Sequence, residues 1–136
     1  MNRLMSVAMT TDAVLDRRKT VTRRKGWTFV EPGDRITLCR KVRGRMPGEP
    51  IERLVDVEVV SVRRESLRRL IDPYPHAPWY GNREVELEGC PGMEPRTFVK
   101  RFFLDAQGMG LDDEVTRIEW RYLDGEEPGG AAQDRP

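Results

Sequence analysis

Apolar and polar positions along the chain change their period several times, and each change marks an element. A short apolar run at residues 4–9 predicts a first strand. Thr10 or Thr11 then offers a hydroxyl helix cap, and Asp12 falls in the first turn. Ala13 and Val14 face inward, and Arg17 and Arg18 bring positive charge to the helix end near Lys19. Residues 20–25 run extended, because Thr20, Val21 and Thr22 are β-branched. Lys19 and Thr22 have opposite parity in a regular strand, so they converge only if Lys19 lies in the turn before it. Trp27 and Phe29 follow as core or rim aromatics, and Pro32-Gly33-Asp34 marks a turn.

Ile36, Leu38 and Val42 predict another strand, with Cys39 on its opposite face. A Gly/Pro loop at residues 43–50 leads into a valine-rich strand at 51–62. There Val55, Val57 and Val59 alternate with Asp56 and Glu58 before Val60 and Val62 take over, which predicts a bulge or a change of face. Leu67, Leu70 and Ile71 have helical spacing behind Ser66 as a cap. Three prolines and three aromatics make residues 72–82 a loop, whose rings either stack on bases or cover a small core. Val85 and Leu87 alternate with Glu84, Glu86 and Glu88, the pattern of a solvated strand. Pro95 opens a helix whose Phe98, Val99, Phe102 and Phe103 form a core stripe. Residues 115–123 make the last strand, with Ile118, Trp120 and Tyr122 on one face. Together these elements predict an α+β fold: a small barrel of about five to six strands with short flanking helices, in a single domain over residues 1–123. Residues 124–136 carry a net charge of −3 and predict a disordered acidic tail.

Composition narrows the function classes. The chain is 38% apolar and 35% charged, with no run approaching a membrane span and no secretory pattern at its start, which predicts a cytoplasmic protein. Two cysteines and one histidine are too few for a disulfide framework or a Cys/His zinc site, and no cofactor or metal is expected. The net charge of +1 conceals an asymmetry: residues 1–45 sum to +8 and residues 46–136 to −7. Within the basic part, Lys19-Thr20-Val21-Thr22-Arg23-Arg24-Lys25 packs four cations and two hydroxyls around one apolar residue. That composition suits an edge or groove facing an anion, or else a solvated basic strand.

The order Lys19-Thr20-Val21-Thr22 with Arg24, then Pro32-Gly33-Asp34, the valine-rich strand, Glu88-Gly89 and Thr116-Arg117-Ile118-Glu119 resembles the ASCH domain family over residues 4–123. The stretch Gly89-Cys90-Pro91-Gly92-Met93 and the Phe98/Phe102 helix look most like small ASCH proteins of actinobacteria and their phages. The resemblance implies a PUA-like β-barrel with a cleft for RNA or a modified nucleoside. Arg18, Arg23, Arg24 and Lys25 would then contact nucleic acid. One branch of the family deacylates acetylcytidine, which would make Lys19 the proton acceptor, Thr22 the nucleophile and Glu88 the proton donor. Arg23 departs from that branch, which has an apolar residue there. Metal-assisted RNA cleavage, with Glu84, Glu86 and Glu88 as the acidic group, and a protein-interaction module are the other readings.

Overall fold

The computed structural model describes residues 2–72 and 74–124. Its centre is one mixed sheet of five strands: β1 (Arg3–Ser6), β2 (Val21–Arg24), β3 (Arg35–Cys39), β4 (Arg53–Ser66) and β5 (Glu114–Tyr122). They lie in the order β1-β3-β4-β5-β2 and curl into a half-barrel. Of the four strand pairs in this sheet, β1/β3 alone is parallel. The two edge strands, β1 and β2, face each other across the open seam, where Arg24 Nη2 donates to Ser6 O at 2.7 Å.

Strand parity sorts the side chains into two layers. Met5, Leu38, Val57, Val59, Ile118, Trp120 and Tyr122 form the core inside the curl. The predicted change of face occurs where expected: β4 shifts register against β5 between Val59 and Ser61, leaving Val60 exposed. Beyond it Arg63 pairs with Arg117 and Glu65 with Val115. Their shared face is covered by α2 (Arg68–Ile71), α3 (Tyr80–Leu87) and α4 (Pro95–Val99), the last continuing into a wide turn at Lys100–Asp105. Leu67, Leu70, Val85, Phe98, Val99 and Phe103 form the core beneath those helices.

Several local expectations change. The interval around Val85 is helix α3, not a strand, and it starts inside the predicted proline loop, at Tyr80. Its apolar content is too sparse for two-fold alternation to decide the matter. As a helix it places Tyr80, Glu84 and Glu88 on one face, four residues apart. Neither Thr10 nor Ser66 caps a helix through its side chain; Ser66 ends β4, and the Thr11 hydroxyl bonds back to Val7 O at 3.0 Å. Strand β3 stops at Cys39, short of Val42. The predicted acidic tail lies outside the described residues apart from Asp124, whose carboxylate accepts from Arg17 Nε at 3.0 Å.

Two glycines let the helices approach closely enough to form the site. A Cβ on Gly81 would stand 2.1 Å from Leu70 O, so α3 packs on α2 only without one. Gly89 (φ +98°) ends α3 in a Schellman turn, with Gly89 N–H donating to Glu86 O and Cys90 N–H to Val85 O. A Cβ there would also fall 2.6 Å from Ala13 Cβ and 3.3 Å from Lys19 Cβ. Gly89→Ala combines a left-handed backbone with overpacking and is expected to cost about 2–4 kcal/mol. Urea unfolding reads this directly, and a loss under about 0.5 kcal/mol contradicts it.

Candidate functional site

Lys19 is held by its backbone before its side chain does anything. Its N–H donates to Ala13 O at 3.1 Å. Its carbonyl accepts from Trp120 Nε1 at 3.1 Å and from the Tyr122 hydroxyl. The residue therefore sits at the end of α1 (Thr11–Leu15), against the final strand, in the turn before β2. From there Nζ donates to Glu88 O at 2.8 Å and to Glu88 Oε1 at 3.1 Å, with Lys19 and Glu88 both buried.

Lys19, Thr22 and Glu88 line one pocket of about 210 Å³ at the seam of the half-barrel. Ser6 and Val7 from the opposite edge, Arg24, Phe102 and Phe103 line it too. Thr22 Oγ1 accepts from Arg24 Nε at 3.2 Å. Burial pulls the Lys19 amine below its ordinary pKa; Glu88 opposes that and Arg24 adds to it. Burial lowers the Arg24 guanidinium as well, with Glu88 opposing. Among the described residues Arg24 makes no ion pair, and of the acids only Glu88, lining the same pocket, acts on its charge.

Arg23 has a different place. It pairs across the sheet with Arg117, which pairs in turn with Arg63, giving a row of three arginines over three strands. Like charges opposite one another are unfavourable, and helix α3 supplies the compensation. Glu84 accepts from Arg23 and from Arg117 Nε at 2.6 Å and Nη2 at 3.1 Å. Arg23 Nη1 donates to Glu88 Oε2 at 2.9 Å, and Nε to Glu65 Oε2 at 3.0 Å. Tyr80 donates to Glu65 Oε1 at 2.7 Å. Burial by itself would lower the Arg23 pKa, but Glu88, Glu65 and Glu84 outweigh it and keep the guanidinium charged. Burial would raise Glu84, yet the hydrogen bond from Arg117 and the charge of Arg23 leave its carboxyl below the ordinary value.

The expected nucleic-acid contacts therefore separate. The Arg23 side chain has no exposed surface, so its charge is committed inside the protein, where it orients Glu88. Arg24 lines the pocket, and Lys25 is exposed just beyond β2. Arg18 donates to Asp16 at 3.2 Å and borders a neighbouring hollow with Thr10 and Arg40. Glu84 and Glu88 serve arginines and Lys19, and no three metal-ligating side chains gather among the described residues. Glu65 escaped the sequence reading, as did the roles of Tyr80, Glu84 and Arg117 as partners in this network. For Tyr80 and Glu84 the four-residue spacing of 80, 84 and 88 was the only local signal. No described helix is long and apolar enough to cross a membrane.

No family model matches this chain, and neither a curated protein nor a solved structure matches it.

Proposed function

We propose that the seam pocket takes the acylated base of a modified cytidine nucleoside and that the protein hydrolyses the acyl amide, as an ASCH-type barrel of the PUA-like kind. One observation carries this reading: buried Lys19 and Thr22 and, from sixty-six or more positions further along the chain, buried Glu88 line the same small pocket. At about 210 Å³ it is below the roughly 300–1,000 Å³ usual for drug-sized ligands, which favours one base over a polymer.

In this mechanism Thr22 Oγ1 attacks the acyl carbon and its proton passes to Lys19 Nζ, whose burial favours the free amine that a base requires. The Thr22–Lys19 contact forms with substrate present, since Thr22 Oγ1 accepts from Arg24 in the free protein. The Arg24 guanidinium, 3.2 Å from the nucleophile, faces the developing oxyanion. As the C–N bond breaks, the proton moves on through the 3.1 Å Lys19–Glu88 contact to the departing exocyclic amine. Water then releases the acyl group from Thr22 as a carboxylate. Arg23 holds Glu88 Oε2, so this transfer runs through Oε1, the oxygen bonded to Lys19 Nζ.

A second reading treats the same pocket as a receptor for RNA or a modified nucleoside without chemistry. The satisfied Lys19–Glu88 ion pair favours it, because that pair is complete with no substrate. Incubation of purified protein with N4-acetylcytidine separates the two. The hydrolase releases cytidine, and Thr22→Val lowers the rate at least about a hundredfold. Binding with no cytidine released, even at stoichiometric protein, overturns hydrolysis in favour of the receptor.

A further inference from the structure

On the β4/α2 side of the molecule lies a second groove, of about 340 Å³, lined by Arg63, Arg64, Arg69, Tyr74 and Tyr80 together with Glu65 and Glu114. Each of its three guanidiniums has an uncharged partner. Arg63 donates to the Tyr80 hydroxyl, Arg64 Nη1 donates to Thr116 Oγ1 at 2.7 Å, and the Arg69 guanidinium lies 3.7 Å from the centre of the Tyr74 ring. The acids offset them only in part. Arg63 Nε donates to Glu65 Oε1 at 3.3 Å, but Glu65 is shared with buried Arg23; the Glu114 carboxylate stands 3.9 Å from Arg64, and Arg69 has no ion pair among the described residues. Arg68, next in sequence, is neutralised by Asp112 and Asp72 and takes no part.

Aromatic surface adjoins this charge. Tyr74 stacks on His76 with ring centres 5.7 Å apart, and Trp79 is half exposed beside Arg83. Fixed guanidinium donors suit a phosphate. A groove of this volume is larger than phosphate alone fills, and a nucleobase can add one more layer to rings and guanidinium planes already stacked. We propose that this groove binds a nucleoside phosphate, the phosphate resting on Arg63, Arg64 and Arg69 and the base extending the stack of Arg69, Tyr74 and His76. The assignment does not depend on the seam pocket, with which the groove shares no lining residue. It also gives the proline-aromatic loop a use beyond covering a core.

The ligand's source is either a free nucleotide or a nucleotide within a single strand, and two probes distinguish these. Titration of the full-length protein with 5′-CMP, and with a labelled single-stranded RNA hexamer at 50 and 200 mM salt, is expected to show salt-weakened binding of at least one. The double variant Arg64→Gln/Arg69→Gln, with melting unchanged, is expected to lose about tenfold or more in affinity and part of the salt dependence. Tyr74→Ala is expected to weaken binding about fivefold or more at both salt concentrations. Lys19→Met leaves this binding unchanged. If Trp79→Ala weakens the hexamer and not 5′-CMP, the source is a strand; if 5′-CMP alone binds, it is the free nucleotide. The proposal is overturned if neither probe binds, if binding survives the double arginine variant, or if Tyr74→Ala has no effect, which would reduce the groove to a general polyanion site.

Discussion

Glu84→Gln is expected to cost about 3–5 kcal/mol of unfolding free energy, the range for breaking a buried ion pair from one side. Among the described residues Glu84 is the only carboxylate bonded to both Arg23 and Arg117, which stand opposite each other on neighbouring strands. Without it, Arg23 keeps Glu65 and Glu88, while Arg117 retains just the 3.6 Å approach to Glu119. A buried guanidinium then lies against another with little between them. The amide introduced by the substitution is a poor replacement, since it brings no charge. Replacing both Glu84 and Arg117 by leucine is expected to recover most of the loss, because no unpaired charge is then left in the interior. If the single substitution costs less than about 1 kcal/mol in urea unfolding, the lattice is not what holds α3 to the sheet.

The same carboxylate makes stability depend on pH with a defined sign. The folded pKa of Glu84 lies below its ordinary value, so the unfolded chain takes up the proton first as the solution is acidified. Its contribution is complete above the ordinary carboxylate pKa and is lost as pH falls through the lower folded value. Unfolding followed from pH 7 to pH 3 is therefore expected to show a steeper fall for the native protein than for Glu84→Gln. Parallel curves would contradict this.

The largest effect on activity is expected at Lys19. If its amine takes the Thr22 proton, Lys19→Met lowers kcat by about 10²–10⁴ and changes KM little. Lys19→Arg is the sharper test, since a guanidinium keeps the positive charge beside Glu88 but cannot act as a base near neutral pH. Loss of turnover in both variants assigns Lys19 the proton. Unchanged turnover in Lys19→Arg would reduce it to a counter-charge. The pH profile follows from the direction of the shift: burial lowers the pKa of the amine, so the rate should rise through a point below 10.5, the ordinary lysine value, as the free base accumulates. Binding of substrate measured in Thr22→Val separates this loss of chemistry from loss of the pocket.

Much of the framework was legible in the pattern of residues. Pro32-Gly33-Asp34 forms a turn, with Gly33 at positive φ and Asp34 accepting from Glu31 N–H at 3.0 Å. The phase change in the valine-rich strand correctly located a bulge, because a strand with one buried face must spend a residue to exchange its inward parity. Opposite parity also correctly put Lys19 outside β2, and Phe98, Val99 and Phe103 are core as their spacing required. Helix α3 was missed because Val85 and Leu87 among glutamates fit a two-residue period, while the four-residue spacing of Glu84 and Glu88 becomes informative only once their partners are known.

From the order of residues alone came the alternation of strands, the turns, the apolar stripes and a basic segment rich in hydroxyls. Those features are local, set by backbone preference and by which side chains avoid water. Whether a given cation meets solvent, a ligand or an internal carboxylate was decided by the folded arrangement. Arg23, Arg24 and Lys25 are consecutive, yet one is enclosed by Glu65, Glu84 and Glu88, one lines the seam and one is exposed. A charge stays buried only where opposite charges are brought to it, and here they arrive from forty-two to sixty-five positions away in the chain.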